Sequence, residues 1–171
     1  MNYHDIKKDD QNNGDGLRVT LFLSGCSHHC PECQNPQTWN KRSGIPFDNS
    51  TLEEIYEELS KDYIAGITLS GGDPLYQCEG VTELAKRIKK ETDKSIWCYT
   101  GFTYEEILAN DYLKQIIPYI DVLVDGPYVD ELRNTDLPCR GSENQRIIEL
   151  KNAVMVGLGN EPKNNLFDVD M

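Results

Sequence analysis

The sequence predicts an α/β fold, an open partial barrel of mostly parallel strands. Runs of β-branched and aliphatic residues alternate with segments whose apolar residues recur at helical spacing. Glycine-rich turns, at Gly25 and at Gly71-Gly72, follow the first two of those runs. About four or five strand–helix units in 171 residues are too few to close an eight-stranded barrel, which takes roughly 250.

Residues 12–16, NNGDG, are turn chemistry leading into LRVTLFLS, residues 17–24, the first expected strand. A polar turn, KRSGIPFDNS, precedes a helix expected over 51–63, where Leu52, Ile55, Tyr56 and Leu59 share a face and Asn49 or Ser50 supplies the cap. Residues 64–70 read as a second, largely buried strand that stops at Gly71-Gly72-Asp73-Pro74. A helix over 81–91 places Val81, Leu84, Ala85 and Ile88 on one side and basic residues on a solvated face.

The third strand is expected over 95–100, SIWCYT, and a third helix over 104–117 with a break near Asn110. A fourth strand follows over 120–125. Residues 126–144, rich in Gly, Pro, Asp and Asn, read as loop, with late strands at 145–150 and 153–156. A single domain over 1–156 and a polar tail over 157–171 complete the expectation, with no internal repeat.

Parallel strands joined by right-handed crossovers gather their following loops on one rim, at the strands' C-terminal ends. The loop after the first strand and the GGDP loop after the second are therefore expected to face each other.

A net charge of -12 and a pI near 4.6 argue against sequence-independent binding to nucleic acid, which needs Lys and Arg on phosphates, and against anionic membranes. Residues 17–23 are too short to span a bilayer and the N-terminus lacks an apolar secretory core, so a cytoplasmic location is expected. Reduced or metal-bound thiols then fit the six cysteines better than disulfides, with Cys78 and Cys98 as buried free thiols.

Three of those cysteines, Cys26, Cys30 and Cys33, fall within GCSHHCPECQNP, residues 25–36. At ~3.3 Å per extended residue, one loop can wrap all three around one metal centre. Gly25, Pro31 and Pro36 favour turns over helix and shape the loop as a claw. Cubane iron–sulfur clusters usually take four Cys, and a fourth at similar spacing is absent. Three ligands leave one metal corner open, as catalytic sites do. The array alone also admits, as the lesser reading, a structural zinc site with His28, His29 or Cys139 as fourth ligand.

At the second loop, Gly71 and Gly72 remove two Cβ atoms where a ligand can approach the backbone, and Asp73 adds a charged acceptor. The same chemistry also serves plain strand-to-helix connections.

CxxxCxxC after the first strand and SGGDPL after the second resemble the radical S-adenosylmethionine superfamily. Together with GCSHHCPECQNPQTW, IWCYTG, VLVDGPY and RGSENQR, they resemble its branch that activates anaerobic ribonucleoside-triphosphate reductase, over residues 17 to about 150. The chain departs from that pattern at Glu32, where the superfamily often has an aromatic residue and this branch Gly, and at Gln34, where the branch often has Tyr.

The resemblance implies that Cys26, Cys30 and Cys33 hold three irons of a 4Fe-4S cluster, and that S-adenosylmethionine chelates the fourth. It implies reductive cleavage of the sulfonium and hydrogen abstraction from a glycine of the large anaerobic ribonucleotide reductase subunit. The electron would come from a low-potential donor such as flavodoxin or ferredoxin. Gly71, Gly72 and Asp73 are expected at the cofactor's methionine portion, and Glu32, Cys33 and Gln34 on its adenine side. Tyr99, Thr100 and Asp125, at later strand ends, are candidates for ribose or peptide contact.

His28 and His29 either tune the cluster or face solvent; Trp39 and Trp97 read as packing anchors. Arg140 to Arg146 docks the partner or braces the late strand. Two rival readings stand beside this one: an activase of another glycyl-radical enzyme, such as pyruvate formate-lyase, and a non-enzymatic zinc or iron–sulfur module.

Overall fold

The computed structural model of the chain describes residues 1–33 and 35–150. The strand expected over 153–156, the polar tail over 157–171 and Gln34 lie outside the described residues.

Seven strands form one sheet: β1 (Asn2–Asp10), β2 (Leu17–Leu23), β3 (Ile45–Pro46), β4 (Ile64–Gly71), β5 (Ser95–Tyr99), β6 (Val122–Asp125) and β7 (Arg146–Glu149), in the order β3-β1-β2-β4-β5-β6-β7. The central four, β2, β4, β5 and β6, are parallel. The flanking pairs β1·β2, β1·β3 and β6·β7 are antiparallel, so the parallel pairing expected of most strands belongs to the sheet's centre.

β1 carries no strand signal in the sequence because NYHDIKKDD buries only Tyr3 and Asp10, and its register against β2 is interrupted twice. It holds by backbone pairing and by Tyr3, which packs into the main core. β3 ends this edge with two exposed residues, one of them Pro46, which cannot donate to a further strand.

Among the described residues there are four α-helices, α1 (Asn49–Leu59), α2 (Cys78–Glu91), α3 (Tyr104–Leu108) and α4 (Asp111–Lys114). Asp48, not Asn49 or Ser50, caps α1, in a reciprocal capping box with Thr51. The break expected near Asn110 is real, and its cause is local: the Asn110 side chain accepts from the Tyr112 and Leu113 amides, ending one helix and starting the next. Residues 126–144 are mostly loop, as expected, with one 3₁₀ turn at Asp130–Leu132 and a bridge between Arg133 and Ser142.

The sheet's two faces differ. Val19, Leu21 and Leu23 of β2, Ile67 and Leu69 of β4, Ile96 and Cys98 of β5 and Leu123 of β6 pack with apolar residues from all four helices in the main core. The other face is smaller and more polar: Trp97, Val122, Val124 and Ile147 form a second cluster with no helical member.

Arg18 and Thr68 lie beside that second cluster, both fully buried. The Arg18 guanidinium donates to Thr68 Oγ1 (2.9 Å), Asp15 O (2.9 Å), Ile67 O (3.0 Å) and Ser95 O (2.9 Å), and lies 5.6 Å from the Trp97 ring centroid. Burial lowers its pKa to about 10, so it stays charged at neutral pH. Trp97 is thus a packing anchor, as expected, with a cation on its ring.

Candidate functional site

The parallel strands β2, β4 and β5 end at Leu23, Gly71 and Tyr99, and the loops that follow meet there. The loop from Gly25 closes on itself, the Gly25 amide donating to Thr38 O (2.6 Å) and the Cys26 amide to Trp39 O (3.0 Å). The second loop clips onto it: Gly72 N donates to Leu23 O (2.9 Å) and Asp73 N to Gly25 O (2.7 Å).

These bonds explain the double glycine. A Cβ on Gly72 would sit 2.5 Å from Gly25 O and 3.0 Å from Thr38 O, and Gly71 has φ 108 with the Leu23 backbone against it. The close approach these glycines permit is that of one loop to the other.

Asp73 is 2% exposed and its carboxylate is fully engaged inside the protein. Oδ1 accepts from Leu75 N (2.9 Å), while Oδ2 accepts from Thr100 Oγ1 (2.9 Å), Gly101 N (2.9 Å) and His28 Nε2 (2.7 Å). One carboxylate therefore joins the cysteine loop, the GGDP loop and the end of β5. The hydrogen bond from His28 to Asp73 raises the imidazole pKa, and Phe102 covers its ring edge-on at 4.6 Å. His29 is exposed and stacks on Trp39 at 4.3 Å, with φ 47.

Cys26, Cys30 and Cys33 are free, half-buried thiols, and all three line one cleft of about 810 Å³ with Gly71, Gly72 and Asp73. Cys33 N donates to Cys30 O (3.0 Å), a turn that sets these two residues side by side. The Asn35 amide donates to Cys33 Sγ (3.4 Å), and the His28 and His29 amides favour a thiolate at Cys26, whose pKa burial nonetheless raises.

Among the described residues, no three His, Cys, Asp or Glu side chains are gathered closely enough to hold a metal ion. The three cysteines share a cleft without converging on a point. The donor set fits an iron–sulfur cluster: three soft thiolates, backbone N–H groups aimed at sulfur, and a cleft beside them.

The remaining candidates divide. Tyr99 and Thr100 line the cleft, but the Thr100 hydroxyl is bound to Asp73 and the Tyr99 hydroxyl donates to Cys139 O (2.6 Å). Asp125 is 1% exposed and does not line it: its carboxylate accepts from Tyr104 N (2.8 Å) at the start of α3 and from Arg146 Nη2 (2.5 Å). Glu32 is exposed, with φ 59.

RGSENQR is a brace. Gln145 Oε1 accepts from the Gly141 (2.9 Å) and Ser142 (3.2 Å) amides, and its Nε2 donates to Gly126 O (3.1 Å). Asn144 Nδ2 donates to Pro127 O (2.7 Å). The segment is thereby held at the cleft, where Tyr128, Leu137, Cys139 and Arg140 line its wall. The bonds of Gln145 and Asn144 run to backbone atoms of the loop, which leave no mark in the sequence, while Arg146 pairs with the Asp125 and Glu105 carboxylates.

The model of the 4Fe-4S single cluster domain family matches residues 12–148. The anaerobic ribonucleoside-triphosphate reductase-activating protein of Enterobacteria phage T4 is 44% identical over 150 residues, 86% of this chain and 93% of the relative. Proteins of the same name from Pasteurella multocida and Escherichia coli K12 are 41% and 42% identical, over 86% and 88% of this chain and 96% and 100% of their own.

Proposed function

The chain belongs to the family of anaerobic ribonucleoside-triphosphate reductase-activating proteins, and on that premise we propose that it activates such a reductase by radical S-adenosylmethionine chemistry. The observation that carries the reading is the meeting of three free thiols and the Gly71-Gly72-Asp73 loop on one cleft at the ends of parallel strands.

Cys26, Cys30 and Cys33 would hold a 4Fe-4S cluster, with S-adenosylmethionine beside Gly71, Gly72 and the segment 32–34. The bound group would supply one-electron reductive cleavage of the sulfonium and the abstraction of a hydrogen atom from a glycine of the reductase.

The chain's own residues position and enclose. Asp73 and His28 fix the cysteine loop against the end of β5, so the ligand loop is held by buried hydrogen bonds from outside itself. Asn35 N–H on Cys33 Sγ stabilises negative charge on that sulfur. Tyr128 and residues 135–141 wall one side of the cleft and would limit the access of water there.

The one-sided helix layer supports an open partial barrel of the radical S-adenosylmethionine type, whose interior is the cleft-bearing face, within a single domain over 1–156. A low-potential donor such as flavodoxin or ferredoxin would deliver the electron in the cytoplasm. The net charge of -12 favours partners other than nucleic acid, and no helix of the described residues is long and apolar enough to cross a membrane.

The test is anaerobic reconstitution with iron and sulfide, reduction, and measurement of 5′-deoxyadenosine after adding S-adenosylmethionine, with Cys30→Ala as control. The reductase is then added and its glycyl radical read by electron paramagnetic resonance. An iron-loaded, reduced protein that forms no 5′-deoxyadenosine would return the cysteine loop to a structural role.

A further inference from the structure

Three basic side chains line the cleft, and two of them are engaged. His28 donates to Asp73, and Lys7 lies 3.6 Å from the Asp10 carboxylate. The third is Arg140, in a chain with 17 Lys and Arg against 29 Asp and Glu.

Arg140 makes no ion pair with any described residue. Its Nη1 donates to Gln145 O (2.8 Å), which ties the guanidinium to the brace around Gly126. Its Nε is closed off from solvent and has no hydrogen-bond partner among the described residues. A guanidinium has five N–H donors in a rigid fork, and a buried donor left unmade is costly. A fixed, incompletely bonded guanidinium in a cleft is built for a planar anion, which a carboxylate matches with two parallel bonds.

We propose that Arg140 is the carboxylate-binding residue of this cleft and takes the α-carboxylate of the methionyl half of S-adenosylmethionine. This rests on the function proposed above. The cofactor carries one carboxylate, and Arg140 is the cleft cation that no carboxylate engages among the described residues. Arg140 sits on the segment that walls the cleft, so the same contact ties that wall to the ligand beside it. It is a binding residue, fixing which way the methionyl end lies.

The experiment is equilibrium binding, without turnover, to the anaerobically reconstituted protein. Wild type, Arg140→Gln and Arg140→Lys are each titrated with S-adenosylmethionine and with its decarboxylated analogue, and iron content is measured for each. Arg140→Gln is expected to weaken S-adenosylmethionine by roughly 10- to 100-fold, the loss of a charge-assisted hydrogen bond, and to leave the analogue within about threefold. Arg140→Lys, which keeps charge and loses the fork, is expected to fall between.

Equal losses for both ligands, or none for either, overturn the proposal, since the side chain then acts only as part of the brace. A wild type that holds iron and binds neither ligand fails the functional reading itself, and is distinguished from the other outcomes by that control.

Discussion

The Asp73 carboxylate receives the His28 imidazole at 2.7 Å across 45 residues of sequence, and the same oxygen takes the Thr100 hydroxyl and the Gly101 amide. A Cβ on Gly101 would lie 2.6 Å from the His28 ring, so the histidine is seated on bare backbone. The loop that carries the cysteines is thus located by one buried acid on a neighbouring loop.

Replacing Asp73 with Ala orphans several buried donors at once, and the expected loss is roughly 2–4 kcal/mol of folding stability. Urea unfolding of the metal-free protein reads this directly. The variant is also expected to retain less iron after reconstitution than His28→Gln, which removes only one of the four donors. Equal iron retention in the two variants would show that Asp73 serves the fold and not the cysteine loop.

Gly72→Ala tests the contact between the two loops. The new Cβ meets the Gly25 and Thr38 carbonyls, which are backbone atoms and cannot swing aside. A cost of roughly 1–3 kcal/mol is expected, with faster loss of iron to a chelator. Gly126→Ala is the matched control, since its φ of 92 strains the backbone while its Cβ would find its nearest neighbour at 3.7 Å.

The buried strands were legible because the β-branched runs in β2, β4 and β6 fill both faces of the sheet's centre. The edge strand β1 was not, since backbone pairing leaves no mark on a polar sequence such as HDIKKDD. The cysteines and the GGDP turn were equally legible, because spacing and turn chemistry are local. Hidden were the residues that act across the chain: Asp73 reads as a free acceptor and Asp125 as a strand-end candidate until their partners, His28 with Thr100 and Arg146 with Tyr104, are placed beside them.

Asp10 gives stability a dependence on pH. Burial alone would raise its pKa, but hydrogen bonds from the Asn13 side chain, the Asn12 amide and the Thr20 hydroxyl, with Lys7 nearby, outweigh burial and hold it below the usual carboxylate value. A depressed folded-state pKa stabilises the protein above the unfolded value of ~3.9 and is lost as pH falls through the folded value. Asp10→Asn is therefore expected to destabilise the metal-free protein near neutral pH and to converge with wild type as acid takes the pH below the depressed folded-state pKa, where both carry a neutral group. A difference between the two that stays constant from neutral to acid pH would assign the effect to shape and not to charge.

The six cysteines should separate into two groups. Cys78 and Cys98 are fully buried in the main core, and burial raises the pKa of both, which disfavours metal-binding thiolates. Cys139 lines the cleft, but its neighbours are Tyr99 and the small apolar cluster. Cys26→Ser, Cys30→Ser and Cys33→Ser are each expected to abolish the visible absorption of a reconstituted cluster. Cys78→Ala, Cys98→Ala and Cys139→Ser are expected to keep it, the two core variants unfolding earlier by roughly 1–2 kcal/mol for the small cavity each leaves. Loss of the cluster in Cys139→Ser would instead make that thiol a fourth ligand and close the open metal corner, which would leave S-adenosylmethionine no iron to chelate.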